Sequence, residues 1–180
     1  TVEYNSDNPF AVALGKGLTG VLRAPELLTA EHKLNEFDSG VPSLDDWLRR
    51  RALANQSKGA SRTYVLSDAD QVVAFYALAA SAVASGAAPG RFKRNMPEPI
   101  PVVVLGRLAI ALSHQGHGLG RALFHDAVQR VIGASDAIGI RGLLVHAISH
   151  EAKPRVSTAA ISRGRRARRL RPASRCARGP

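Results

Sequence analysis

The chain has 180 residues, 45% of them hydrophobic, enough for one domain around a single buried core, and it carries a formal net charge of +11. No run approaches the roughly 18 apolar residues of a membrane span, and Thr1 to Phe10 has neither the positive region nor the apolar stretch of a signal peptide, so the expectation is a soluble cytoplasmic protein. A single cysteine, Cys176, excludes an internal disulfide or a multi-thiolate metal site, and the charge is lopsided: residues 1–150 hold 15 of the 25 Lys and Arg and 13 of the 14 Asp and Glu.

In chain order, residues 1–17 read as an N-terminal extension. Leu18 to Leu22 predicts a short edge strand, and Glu26 to Asp38, with Leu27, Leu28 and Leu34, predicts a helix. Pro42-Ser43-Leu44-Asp45-Asp46 is a stronger start signal, since Ser43 can cap a helix while Asp45 and Asp46 suit its positive N-terminus. Leu44, Trp47, Leu48 and Leu53 mark the apolar stripe of a helix of about four turns, with Arg49, Arg50, Arg51 and Lys58 along it. Arg62 to Ser67 and Val72 to Ala80 read as a hairpin across a short polar connection. Ser81 to Pro101, rich in Ala, Gly and Pro, predicts a mobile basic loop carrying Arg91, Lys93 and Arg94. Val102 to Ile110 is an apolar run that predicts a central strand buried on both faces, and Gly106 within it predicts a bulge.

The next segment carries the chemistry. Gln115-Gly116-His117-Gly118-Leu119-Gly120 leads into an amphipathic helix (Leu123, Phe124, Ala127, Val128, Val131) expected to end at Gly133, and a strand follows at Leu143 to Ile148. Glycines let backbone N–H groups turn toward one point, and the helix N-terminus adds partial positive charge, so strand, glycine loop and helix together predict a phosphate site. No Gly-Lys-Ser or Gly-Lys-Thr makes it a Walker loop, and a G-x-G-x-x-G fingerprint fails because Arg121 or Leu123 stands where the third glycine belongs.

What the loop does match is Q/R-x-x-G-x-G/A, and in this it resembles the pyrophosphate loop of the GCN5-related N-acetyltransferases (GNAT). Phe37-Asp38-Ser39-Gly40, Leu44-Asp45-Asp46-Trp47-Leu48, Asn55-Gln56, Gly59-Ala60-Ser61-Arg62-Thr63-Tyr64, Arg94-Asn95-Met96-Pro97, Ile100-Pro101 and Leu105-Gly106-Arg107-Leu108-Ala109 extend the resemblance to the acetyltransferase toxins of bacterial toxin-antitoxin pairs, over about residues 18–153. The resemblance implies an α/β fold, a mixed central sheet flanked by helices, in which acetyl passes from acetyl-CoA to the α-amine of aminoacyl-tRNA and blocks translation. It implies a ribbon-helix-helix antitoxin as partner, a homodimer, and no metal. It further implies that the backbone of Leu108, Ala109 and Ile110 pairs with the pantetheine arm, and that Gln115, Gly116, His117, Gly118, Leu119 and Gly120 hold the pyrophosphate. Lys33, Arg49, Arg50, Arg62, Arg91, Lys93 and Arg94 become candidates for tRNA backbone contacts, because that partner is a polyanion.

One expected residue is missing. Amine acetylation needs a group to protonate the departing thiolate, and the resemblance implies a tyrosine shortly after a Glu-Ala-Lys triplet. Glu151-Ala152-Lys153 is present, but Val156 stands at the tyrosine position, so no catalytic residue is assigned. From Pro154 to Pro180, 19 of 27 residues are Ala, Arg, Gly or Pro, with no aromatic residue. Composition and resemblance change together there, which predicts a frameshifted, disordered basic tail, an open edge on the strand at 143–148, loss of the family's C-terminal helix and strands, and an impaired enzyme. The rival reading is a non-catalytic protein that binds CoA or antitoxin and uses the tail as a nucleic-acid arm. His114, His117, His146 and His150 form two short-spaced pairs with no acidic neighbour, which disfavours a metal site.

Overall fold

The computed structural model describes residues 22–87, 90–146 and 156–160. A six-stranded sheet follows sequence order: β1 (Glu26–Leu27), β2 (Arg62–Asp68), β3 (Gln71–Val83), β4 (Ile100–Ile110), β5 (Gly142–His146) and β6 (Val156–Ala160). Helix α1 spans residues 42–57, α2 is Gly90–Lys93, and α3 is Leu119–Ile138. Neighbouring strands are antiparallel except β4 and β5, whose parallel pairing requires a crossover, supplied by α3.

β3 is buried without alternation from Val72 to Leu78, because both sheet faces are covered. On one face Tyr76, Leu78, Leu105 and Leu108 pack against Leu119, Leu123 and Ala127 of α3. On the other, Val65, Phe75 and Ala109 meet Leu48 and Ala52 of α1 together with Phe37 and Leu28. The predicted bulge is present: Ala77 faces Arg107 and Leu78 faces Leu105, leaving Gly106 over. The extra residue reverses the alternation, so Leu105 and Leu108, three apart, share the α3 face while Arg107 and Ala109 turn to α1.

Several expectations need correction. Residues 26–38 are not a helix: Leu28 N–H donates to the Thr63 carbonyl at 2.8 Å, and the His32 ring takes the Thr29 N–H at 3.1 Å, so strand pairing and a side-chain bond claim the backbone groups. The edge strand is Glu26–Leu27; of the 18–22 segment only Leu22 is described, bridging to Asp68. Ser43 does not cap α1, which starts at Pro42, where no N–H is needed. Asp45, 4% exposed, instead accepts the Ser39 N–H and hydroxyl at 3.1 and 2.6 Å. A wide π turn at Leu48–Ala52 shifts the helix phase, burying Ala52 completely while Leu53 stays 41% exposed.

The segment 81–101 is largely ordered rather than a loop. β3 runs on to Val83, and Phe92 of α2 packs with Ile100 and Val102 in a small third core, while the Ser85 N–H donates to Glu98 Oε1 at 2.9 Å. α3 passes Gly133 and stops at Ile138, because Gly139, at φ 69°, is the residue that readily adopts the left-handed closing conformation. β5 is not an open edge and disorder does not begin at 154: over residues 156–160 the chain pairs antiparallel with β5, Val156 opposite His146 and Ala160 opposite Gly142. An exposed row of β5 backbone groups is a template that the following segment fills. Ala147 and Ile148, expected in the strand, and residues 161–180 of the tail lie outside the described residues.

A polar network ties α3 to the sheet. The Tyr76 hydroxyl, fully buried, donates to Asp126, which also takes the Arg130 Nε–H at 2.8 Å; Arg130 Nη2 donates to the Pro25 carbonyl at 2.6 Å and stacks 4.1 Å from the Tyr64 ring centroid. Burial first, then the bond to Asp126, pushes the Tyr76 phenol far above its ordinary value. Tyr76→Phe is expected to cost about 1–3 kcal/mol near neutral pH. The folded state keeps a proton that the unfolded state sheds above about pH 10, so wild-type stability falls by about 1.4 kcal/mol per pH unit there relative to the variant. Urea melts at pH 8 and pH 11 check this, and the gap between the two proteins should nearly close at the higher pH.

Candidate functional site

The cleft forms where β4 and β5 part. β5 pairs with Val103, Val104 and Leu105 and no further, so from Gly106 onward the β5-facing edge of β4 has no strand partner among the described residues. Beyond Ile110 the chain is pinned twice, Ala111 N–H to the Val73 carbonyl and Leu112 N–H to the Asp38 carbonyl, each at 2.8 Å. Gln115 then clamps the loop, its Nε2 donating to the Ser39 and Ile110 carbonyls at 3.1 and 2.9 Å. The side chain expected to hold pyrophosphate is thus committed to the scaffold, and the backbone is left for a ligand.

Gly116 and Gly118 adopt φ of 80° and 85°, which turns successive N–H groups and starts α3 with Gly118 as its cap residue. Gly120 is required for a different reason: a Cβ there would lie 3.3 Å from Ile110 Cδ1, so α3 could not approach the strand as closely. The resulting cleft, about 590 Å³, is walled by Ser39, Val41 and Leu44 on one side, Leu108, Ala109 and Ile110 on the floor, and Gln115, Gly116, Gly118, Leu119, Gly120 and Arg121 on the other. None of these is acidic, Arg121 is cationic, and the first turn of α3 brings unsatisfied N–H groups, so the cleft is suited to an anion beside an apolar arm. Gln115→Leu removes both clamp bonds and is expected to weaken acetyl-CoA binding about tenfold by calorimetry with little change in melting temperature.

Most of the predicted loop and strand residues therefore converge; His117 alone of residues 108–110 and 115–120 is not in the cleft wall. The basic candidates do not form one cluster. Lys33 lies 3.4 Å from Asp70 in a separate polar pocket of mixed charge, and Arg49 donates to the Phe37 carbonyl at 2.8 Å while reaching Asp46 at 3.8 Å. Arg50 is 4.0 Å from Asp46, and Arg62 donates to the Gln56 carbonyl at 3.0 Å. Lys93 and Arg94 are exposed beside the third core; the Arg91 side chain lies outside the description. Among the described residues no three His, Cys, Asp or Glu gather as a metal site; His114 sits 3.5 Å from Asp68, and the His146 side chain and His150 are not described.

No described tyrosine lines the cleft. Tyr64 and Tyr76 stack on each other, 5.2 Å between centroids, on the α3 side of the sheet. Val156 begins β6, opposite His146. Sequence reasoning missed the Ser39–Asp45 pair and the position of Arg107 over Trp47, 4.3 Å from its centroid. The glycine at 106, read only as a bulge, was the signal for the second.

No protein-family profile matches the chain. It is 50% identical over 130 residues to a tRNA-acetylating toxin of Mycobacterium tuberculosis, covering 72% of this chain and 78% of that protein. It is 28% identical over 118 residues to the probable toxin TacT of Sinorhizobium fredii, over 63% of this chain and 65% of that one. Among solved structures, AtaT complexed with acetyl-methionyl-tRNAfMet superposes with a TM-score of 0.66 at 35% identity, over 72% of this chain and 80% of that one. AtaTR bound with acetyl-CoA gives 0.63 at 36% identity, over 72% and 79%. The same strand, bulge, glycine loop and crossover helix thus sit in a chain half identical to a known toxin, and this chain belongs to the GNAT acetyltransferases, in their branch of tRNA-acetylating toxins from toxin-antitoxin systems.

Proposed function

We propose that this chain binds acetyl-CoA at the junction of β4 and α3 and presents its thioester to the α-amine of an aminoacyl group on tRNA, in the cytoplasm. The observation that carries the reading is the unpartnered β4 edge at Leu108–Ile110 running into a loop whose N–H groups and helix terminus favour an anion. That edge offers main-chain donors and acceptors to the amides of the pantetheine arm, and Gly116, Gly118 and the first turn of α3 take the pyrophosphate. Solved relatives bound with acetyl-CoA and with acetyl-methionyl-tRNAfMet support both ligands.

In the reaction the neutral amine forms a C–N bond to the acetyl carbon as the C–S bond breaks; the amine loses a proton and the thiolate gains one. With Val156 in place of the expected tyrosine, this chain supplies no acid for the second transfer, and we read it as an impaired copy. Residues 18–153 make up the acetyltransferase domain in this reading, 1–17 precede it and 154–180 follow it. Lys33, Arg49, Arg50, Arg62, Arg91, Lys93 and Arg94 are proposed tRNA contacts, of which the six described are all exposed. A ribbon-helix-helix antitoxin and a homodimer are the proposed protein partners; AtaT bound to the C-terminus of its antitoxin AtaR, a structure of 0.62 TM-score and 34% identity, supports the first.

The test is calorimetric titration of the full chain with acetyl-CoA, followed by single-turnover transfer of labelled acetyl to aminoacyl-tRNA. Binding with slow transfer is expected; absence of binding overturns the reading. Binding with no transfer at all favours the second reading, a non-catalytic CoA or antitoxin binder, which the lack of a described tyrosine in the cleft supports.

A further inference from the structure

Arg107 differs from the other described arginines of the sheet and α1. Arg49, Arg62, Arg130 and Arg141 each donate to a carbonyl or carboxylate, whereas Arg107 has no hydrogen bond or ion pair among the described residues. It is half-buried, its guanidinium stacked on the Trp47 ring at 4.3 Å, and desolvation alone draws its pKa down, with no anion to offset it. Stacking engages the face of a guanidinium and leaves its edge, with five N–H donors, to be satisfied. A half-buried cation in that condition is costly unless a ligand completes it.

Its place narrows the ligand. The bulge at Gly106 turns Arg107 to the α1 face, away from α3, and it precedes the cleft residues Leu108 and Ala109. Trp47 follows Leu44, another cleft residue, by one helical turn. Arg107 lies three residues before Ile110, about 10 Å back along the strand from the glycine loop, so the pyrophosphate site and Arg107 are separate positions. An amino acid esterified to RNA has no free carboxylate, and the anions left on such an acceptor are phosphates. We infer that Arg107 holds a phosphate near the 3′ end of the acceptor RNA by the edge of its guanidinium while Trp47 covers its face. This rests on the reading of aminoacyl-tRNA as acceptor.

The experiment uses the full chain and a fluorescein-labelled acceptor-stem RNA carrying an amide-linked aminoacyl group, with anisotropy followed across a salt series and acetyl-CoA affinity measured separately. Arg107→Gln is expected to weaken RNA binding about tenfold and to lower the salt slope by about 0.7–1, with acetyl-CoA affinity unchanged. Arg107→Lys should keep the slope but lose about threefold in affinity, since it cannot bind bidentately, and it carries the test if the glutamine variant does not fold. Unchanged RNA affinity and slope overturn the inference alone, as does an equal loss of acetyl-CoA binding. Unchanged RNA binding with weakened binding of an acidic peptide overturns it in favour of a protein partner. A wild-type chain that binds acetyl-CoA but not the RNA overturns the acceptor reading and this inference with it.

Discussion

Replacing Gly116 and Gly118 together by alanine is expected to weaken acetyl-CoA binding about a hundredfold while leaving the melting temperature within a few degrees. A Cβ at either position meets nothing within 4 Å, so crowding contributes nothing and the effect comes from the backbone angles of 80° and 85°. Holding an L-residue there costs about 1–2 kcal/mol each, and about 1.4 kcal/mol is a factor of ten, so two positions are worth between one and three powers of ten. Both residues are exposed, and the loop relieves the strain by turning its N–H groups elsewhere instead of disturbing the core. Calorimetry beside a thermal melt separates the cases. An unchanged dissociation constant shows that these N–H groups hold no phosphate, and a large fall in melting temperature shows that the strain reached the fold.

The second large effect concerns the departing thiolate. A chimera joining residues 1–153 of this chain to the corresponding C-terminal segment of the Mycobacterium tuberculosis relative is expected to transfer acetyl about 10²–10⁴ times faster than this chain, with acetyl-CoA affinity within a few-fold. The range is the usual worth of one positioned acid. Single-turnover rates measured at saturating acetyl-CoA check it, because they read chemistry apart from binding. Equal rates for the two proteins mean that the thiolate leaves without help or that another residue of 1–153 supplies the proton.

Where local chemistry decides the structure, the sequence is readable. The hairpin at 62–83, the bulge at Gly106 and the glycine loop opening α3 all rest on residue types with few alternatives, and each is where it is expected. Where distant partners decide, it is not. The apolar spacing of Leu27, Leu28 and Leu34 suits a helix, yet the Thr63 carbonyl takes the Leu28 N–H, and nothing nearby in sequence announces that bond. Phe92 reads as part of a loop because its partners, Ile100 and Val102, lie on a strand several residues on. Gln115 fits its motif, but the side chain braces Ser39 and Ile110, 76 and 5 residues away, leaving ligand contact to the main chain. Arg107 can be located in a strand, but its face depends on one extra residue beside it.

The parting of β4 from β5 after Leu105 has a consequence for how such a site tolerates change. A bare strand edge recognises its guest through amide groups that every residue except proline carries in the same form. Swapping Leu108 for isoleucine or methionine alters the packing beneath it but leaves that row of groups as it was. Proline deletes a donor outright. Substitutions along this stretch therefore sort by what they do to the peptide bond, and the side chains remain free to serve the core on one face and an arriving acceptor on the other.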